Sequence, residues 1–257
     1  MKKTAFILFA MYSFSVYSQE KTTYTYNTFN STRVINSHST EMLEKKNLDF
    51  RIGHRFGDIA GDNGGIETLF GIDNAADISV GFEAGITNNF NIGITRYKGS
   101  GSYAQLYEGY AKYKFLAQSN KMPITVVALA KFNVTSMEAS LDSTSPTSFP
   151  DFVSRTSSSY QLPIARKFSE RFSLQLVPTY VHRNYVGFYD ENGTFSMGAG
   201  ARLQLTKLIG IIGEYHYVMF KEGVQEKLNT FNPMAFGVEF DTGGHIFQLN
   251  FTNSRGL

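Results

Sequence analysis

The chain has 257 residues, 24 Lys and Arg against 22 Asp and Glu, 15% aromatic residues, and neither cysteine nor tryptophan. This near balance of charge gives no electrostatic argument for nucleic-acid binding, and the lack of cysteine excludes disulfides and a lipoprotein anchor. Beyond the first 18 residues, no apolar run reaches the roughly 20 residues that a membrane-spanning helix needs. Composition therefore argues against a helical membrane protein, but not against a β-barrel, in which half of each strand is polar.

The first 18 residues have the features of a secretory signal peptide. Lys2 and Lys3 precede an uncharged apolar run over 4–16, and small residues lead to a cleavage site after Ser18. A membrane-spanning helix would need a longer apolar run. We therefore predict a signal peptide over residues 1–18, which removes two lysines and leaves 22 basic against 22 acidic side chains, a mature net charge of zero.

Residues 19–46 are rich in Ser, Thr and Asn and are interpreted as a periplasmic lead-in, lodged partly in the mouth of a barrel. The first clear strand follows at 47–56. Its apolar positions Leu48, Phe50, Ile52 and Phe56 alternate with the polar positions Asp49, Arg51 and Arg55. Because successive side chains of a strand point to opposite faces, this pattern predicts one apolar and one polar face. A long connection over 57–76 comes next.

The most regular stretch is a hairpin over 77–97. Ile78, Val80, Phe82, Ala84 and Ile86 occupy every second position, with Glu83 on the opposite face. A two-residue turn at 88–89 leads into a second strand with the same alternation. Further strands are predicted at 105–116, 123–134, 155–168, 171–185, 193–205, 208–220, 234–241 and 246–252.

The connections between these strands alternate between short turns and long loops, with the short 99–102 as the exception among the loops and 118–122 slightly longer among the turns. Membrane barrels have short periplasmic turns and long extracellular loops, whereas a soluble sandwich has no reason to sort its connections in this way. The sequence therefore predicts an all-β, antiparallel up-and-down transmembrane β-barrel over 47–257. About eleven strands are visible, an odd number, whereas bacterial single-chain barrels have even numbers.

Two explanations of the odd number are left open. Either the chain lacks its last strand, so that twelve are expected if it is complete, or the sheet closes without one. Closure would require 246–252 to pair with 47–56, in parallel, or with the lead-in near 32–35. An unpaired strand edge in hydrocarbon leaves backbone groups unsatisfied at several kcal/mol each.

Three segments resemble an uncharacterised family of Gram-negative β-barrel proteins. They are Arg51-Ile52-Gly53-His54-Arg55-Phe56-Gly57, then Phe70-Gly71-Ile72-Asp73-Asn74-Ala75-Ala76-Asp77, and the closing Phe247-Gln248-Leu249-Asn250-Phe251-Thr252-Asn253-Ser254. The resemblance covers most of the predicted mature chain. It implies an outer-membrane barrel of about twelve strands and no established activity, so it supplies no catalytic residues.

Charged side chains collect on the face that we predict to line the lumen. This polar network comprises Asp49, Arg51, Arg55, Glu83, Glu108, Lys112, Lys131, Arg202, Glu214, His216 and Glu239. Its mixed signs indicate ion pairs that fill a narrow interior rather than a selectivity ring of one sign. The acidic, Gly-rich loop over 58–67 departs from the EF-hand pattern, so neither a metal site nor a cofactor is predicted.

The predicted function is therefore a non-enzymatic outer-membrane barrel that acts as a narrow channel or a scaffold. Its expected partner is outer-membrane lipid, with a small polar solute as a further candidate, and nucleic acid is not expected. One alternative is a barrel-embedded lipid hydrolase, which needs a serine close to a histidine. His182 lies at the rim of its strand, but no serine partner for it is identifiable in the sequence. A soluble secreted lipid-binding barrel is a further alternative.

Overall fold

A computed structural model describes residues 21–61, 63–74, 77–99 and 103–254. The predicted signal peptide lies outside these ranges. The described residues form one sheet of twelve strands in which every pair is antiparallel, so the predicted all-β fold is confirmed. The strands are β1 (Leu48–Arg55), β2 (Asp77–Thr87), β3 (Phe90–Lys98), β4 (Gln105–Leu116), β5 (Thr125–Thr135), β6 (Thr156–Gln161), β7 (Ile164–Lys167), β8 (Phe172–Arg183), β9 (Gly193–Gln204), β10 (Ile209–Met219), β11 (Met234–Asp241) and β12 (Ile246–Thr252).

The two faces of the sheet differ as the alternation predicts. Phe82 points outward and is 46% exposed, whereas the next residue, Glu83, is 3% exposed on the inner face. Phe82 is directly opposite Phe50 in the β1–β2 ladder, and their ring centroids lie 4.9 Å apart. A shift of one residue in this register would exchange the apolar and polar faces. The outer face is therefore an apolar belt, and the inner face is polar.

The strand predicted over 155–168 is two strands, and the prediction of one continuous strand was wrong. β6 and β7 both pair with β5 and β8, so that twelve strands occupy eleven positions around the sheet. Pro163 lies between them and has no N–H to donate to the ladder. The chain nevertheless continues in line, because the Val127 N–H donates to the Pro163 carbonyl at 3.0 Å.

The connections at the two ends of the sheet differ in length, except that 99–104 at the long-loop end is shorter than 117–124 at the short-turn end. The long-loop end carries the connections 56–76, 99–104, 136–155, 184–192 and 220–233. The short-turn end carries 88–89, 117–124, 168–171, 205–208 and 242–245.

The long-loop end also contains a helix that the sequence pattern did not predict. α1 (Val224–Leu228) lies in the connection read as a polar loop, and its Val224 side chain is buried. Gly223 and Asn229, both at positive φ, bound the helix at its two ends. Within the described ranges, no helix is long and apolar enough to cross a bilayer.

β1 and β12 lie at the two ends of the strand order, and no ladder joins them among the described residues. The proposed parallel pairing of 47–56 with 246–252 is therefore not observed, nor does the 32–35 segment join the sheet. The Arg55 Nη1 group instead donates to the Ser254 carbonyl at 2.7 Å. A cavity of about 2290 Å³ opens at this seam and extends into the lumen, where Tyr97, Glu108, Lys131 and Arg183 also line it.

Part of the N-terminal lead-in lies inside the sheet, deeper than the mouth position that was predicted. We call residues 28–41 the plug. Phe29, Val34, His38 and Thr40 of the plug are 0–2% exposed. Val34 and Phe29 form a small apolar cluster with Ala165 and Ile212 of the wall. The chain's own N-terminal segment therefore occupies much of the described lumen.

Candidate functional site

The plug enters and leaves the lumen at the short-turn end. Before the plug, the Thr25 N–H donates to the Gln118 carbonyl in the 117–124 turn at 2.8 Å. After it, the Lys46 N–H donates to the Gly85 carbonyl near the 88–89 turn, also at 2.8 Å. Gly85 is required here, because a Cβ atom would lie 2.1 Å from the Glu44 carbonyl oxygen. The plug is therefore a loop with both ends at one mouth of the barrel.

The centre of the plug is a small β-hairpin. Arg33 and His38 are partners in an antiparallel bridge, and the Ser39 N–H donates to the Thr32 carbonyl at 3.0 Å. This pairing satisfies backbone groups of the plug inside the lumen. It also sets the Arg33 side chain and the tip of the hairpin against particular wall residues.

A buried carboxylate joins the two ends of the plug. The Glu41 carboxylate accepts the N–H groups of Thr28 at 3.0 Å and Phe29 at 3.2 Å. Burial raises the pKa of Glu41, while the Phe29 N–H and the nearby Lys112 cation act in the opposite direction. Lys112 of β4 is 0% exposed, and its Nζ donates to the Glu41 carbonyl at 2.5 Å. This wall lysine is therefore bound to the plug backbone.

The largest ion cluster joins the plug to β4 and β5. Arg33 Nη2 lies 3.1 Å from Glu108 Oε1, and Lys131 Nζ lies 2.6 Å from Glu108 Oε2. The Tyr97 hydroxyl also donates to Glu108 Oε1, at 3.1 Å. The Glu108 side chain is 5% exposed and each cation is 12% exposed. One buried carboxylate is thus shared by a plug cation and a wall cation.

A second carboxylate, Glu83, is bound within the wall itself. It accepts the Asn91 side-chain N–H at 2.8 Å and the Tyr110 hydroxyl at 3.1 Å. The Tyr110 ring in turn meets the His38 ring of the plug edge-on, with centroids 4.7 Å apart. No described residue forms a hydrogen bond to either His38 ring nitrogen. Burial, followed by the nearby Arg33 cation, lowers the pKa of His38 well below its usual value.

The third cluster joins β9 and β11 to the start of the plug. The Arg202 guanidinium donates to Glu239 and to Gln204. Glu239 also accepts the side-chain N–H of Asn30 at 3.0 Å. Arg202 is 4% exposed and Glu239 is 2% exposed, so both members of this ion pair are shielded from water.

The tip of the plug contacts β10. Glu214 accepts the backbone N–H groups of Asn36 at 2.8 Å and Ser37 at 3.1 Å. The Ser37 hydroxyl lies 2.7 Å from His216 Nε2. Two consecutive N–H groups on one carboxylate form a charge-assisted contact, which is about twice as strong as a neutral hydrogen bond.

β1 completes the lumen wall with partly exposed contacts. Arg51 donates to the Ser31 hydroxyl at 2.7 Å and lies 3.3 Å from Asp49. Arg55 donates to the Asn36 side-chain oxygen at 2.5 Å. The Arg51 and Asp49 side chains are 32% and 35% exposed, because β1 borders the seam cavity.

The eleven residues of the predicted lumen network thus fall into separate clusters rather than one chain of ion pairs. What joins these clusters is the plug, whose contributing residues the sequence pattern did not single out. They are Asn30, Ser31, Thr32, Arg33, Asn36, Ser37, His38 and Glu41. Arg33 and Glu41 are charged residues in an otherwise Ser/Thr/Asn-rich stretch, which is the one signal that marked the segment. In the described part of the chain, no group of three His, Asp or Glu side chains is placed to hold a metal ion.

An antiparallel sheet with an apolar outer belt and a polar, plugged interior defines the class of membrane β-barrels. The chain belongs to the family described as "Membrane bound beta barrel domain (DUF5777)", whose model matches residues 29–257. The predicted resemblance to an uncharacterised barrel family is thereby confirmed, as is a membrane location. The matched region begins inside the plug, so the family's domain includes both plug and wall. No curated protein matches the sequence.

Proposed function

We propose that this protein is a closed, non-enzymatic scaffold barrel of the Gram-negative outer membrane, exported by a cleaved signal peptide. The signal-like residues 1–18 support export, since secretory signals have this arrangement. The sorting of long loops and short turns supports an orientation with the short-turn end in the periplasm. In that orientation the plug enters from the periplasmic side.

The main support for a closed lumen is the burial of the plug against charged wall residues. Glu108, Lys112, Arg202, Glu214 and Glu239 are each 0–5% exposed. Burying charges is costly unless they are paired and hydrogen-bonded. Glu108, Arg202 and Glu239 are ion-paired, and Lys112 and Glu214 are hydrogen-bonded to the plug backbone. Opening a solute path through this region would require these contacts to break.

Planar-bilayer conductance tests the closed state. We expect the full chain to show no steady conductance, and a variant with 28–41 replaced by a Gly-Ser segment of equal length to conduct. Replacement of the exposed segment 21–27 in the same way is the control and should leave the barrel closed. Heat-modified gel mobility verifies that each variant is folded. Steady conductance of the full chain, equal to that of the plug replacement, would favour the narrow channel for a small polar solute.

The hydrolase alternative has one supporting observation, the 2.7 Å contact between Ser37 and His216. A serine nucleophile also needs donors for the developing oxyanion. The Ser37 N–H is already bound to Glu214, and Ser37 is 5% exposed. We therefore assign the pair to plug binding. Covalent labelling by a fluorophosphonate probe that is lost in Ser37→Ala would instead establish an enzyme.

A further inference from the structure

Charge is distributed unequally between the two ends of the barrel. The described cationic residues at the short-turn end, outside the lumen, are Lys21, Lys45, Lys46, Lys121, Arg166, Lys167, Arg171 and Lys207, against Glu44, Glu170 and Asp241. The described acidic residues at the long-loop end are Asp58, Glu67, Asp73, Asp77, Glu138, Asp142, Asp151, Asp190, Glu191, Glu222 and Glu226, against Arg96, Lys98, Arg155, Arg183, Lys221 and Lys227. The short-turn end is therefore basic and the long-loop end acidic.

One of the cations at the short-turn end lies on the membrane-facing surface itself. Arg166 of β7 is opposite Leu174 of β8 and shares its outward face. The Arg166 side chain is exposed, and its guanidinium lies 5.1 Å from the centre of the Phe168 ring. A long cationic side chain in this position keeps its stem on apolar surface and its charged group at the level of the lipid headgroups.

Aromatic side chains mark that level around the short-turn end. Outward rings close to the turns are those of Phe115, Phe168, Phe172, Phe240 and Phe247, which are 39–59% exposed. Barrels carry such aromatic girdles at the interface between hydrocarbon and headgroups. The exposed cations in the adjoining turns, Lys121, Arg171 and Lys207, therefore lie at headgroup depth.

We infer that the short-turn end binds the phosphate groups of anionic phospholipids in the leaflet that it contacts. A guanidinium recognises phosphate through two parallel hydrogen bonds, and lysines near an anionic surface add attraction that is screened by salt. Lys167 is paired with Glu170 at 2.7 Å. We assign binding to Arg166, Arg171 and Lys207, which lie together on the adjacent strands and turns from β7 to β10. This inference rests on the membrane location of the barrel and not on whether its lumen is closed.

Lipid enrichment around the reconstituted barrel tests the inference. The full chain is placed in mixed phosphatidylcholine and phosphatidylglycerol vesicles and extracted into polymer nanodiscs, and the lipid ratio is compared with that of the bulk. We expect phosphatidylglycerol enrichment of about twofold or more, reduced at high salt. Arg166→Gln/Arg171→Gln/Lys207→Gln should return the ratio to the bulk value. The matched control, Lys98→Gln/Lys221→Gln/Lys227→Gln, removes as much charge at the other end and should retain the enrichment.

Three results would overturn the inference: a bulk lipid ratio around the unaltered chain, enrichment that salt does not reduce, or equal losses in the two triple variants. The last would mean that net charge acts without regard to position. If the short-turn triple variant fails to fold, Arg166→Gln alone replaces it. That single variant should lose part of the enrichment, and full retention would count against binding at this end.

Discussion

Replacing Glu108 with Gln is the sharpest test of how the plug is held. The carboxylate is 5% exposed and is shared by Arg33 at 3.1 Å and Lys131 at 2.6 Å. Glutamine has nearly the same size and can still accept a hydrogen bond, but it carries no charge. The substitution therefore leaves two buried cations without their counter-ion while the packing is preserved.

The expected cost follows from the burial of these groups. Breaking a buried ion pair by removing one partner destabilises a protein by about 3–5 kcal/mol, because the remaining charge is uncompensated. Since 1.4 kcal/mol corresponds to a factor of ten, docking of the plug should weaken by about two orders of magnitude or more. The control is Glu170→Gln, which removes an ion pair of similar length, 2.7 Å, whose carboxylate is 93% exposed. Exposed pairs contribute little, so this control should match the unaltered chain.

Two measurements check the expectation. Denaturant unfolding of the reconstituted barrel gives the change in free energy, and planar-bilayer recording shows whether the lumen opens. Arg33→Gln alone and combined with Glu108→Gln completes a double-mutant cycle, which isolates the coupling between plug and wall. If Glu108→Gln had the stability and conductance of the Glu170→Gln control, the ion cluster would not hold the plug, and our reasoning would be refuted.

Three further predictions concern other parts of the barrel. Arg202→Ala should destabilise the barrel and raise its conductance, because Glu239 would be left as a buried carboxylate without its cation; an unchanged gel shift and conductance would contradict this. Spin labels at Phe82 and Glu83 should differ in accessibility to a lipid-soluble quencher. Equal accessibility would refute the assignment of Phe82 to the outer face and Glu83 to the inner face. His38 has a lowered pKa, so the unfolded chain binds protons more readily and stability should fall as pH drops below about 6.5. His38→Leu should reduce that slope, as measured by denaturant unfolding across this range.

Strand facing could be predicted from sequence because it is a local property. The alternation places Glu83 on the inner face and Phe82 on the outer face. This assignment does not depend on which residues lie on the opposite side of the lumen. The strand limits at 105–116, 234–241 and 246–252 coincide with those observed, because turn residues bound these periodic runs. Pro163 lies in a run that otherwise alternates, so periodicity alone predicts one strand, but its missing N–H divides the run into two.

The plug could not be predicted in the same way. Its residues have no strong periodicity, and its conformation depends on wall groups distant in sequence. Arg33 and Glu108 are separated by 75 positions, and nothing local to either residue identifies the other as its partner. The helix Val224–Leu228 was missed for a related reason, since it is too short to display a helical period and is held by one buried valine.

The shared entry and exit of the plug has a consequence for assembly. Asn30 contacts Glu239 across 209 positions of sequence, and Asn36 contacts Glu214 across 178. These contacts cannot form until β10 and β11 are in place, so the first segment of the domain is among the last to dock. Because both of its ends lie at one mouth, it can enter a finished wall as a loop, without threading and without separating any pair of strands. A docked plug therefore shows that β10 and β11 have joined the sheet.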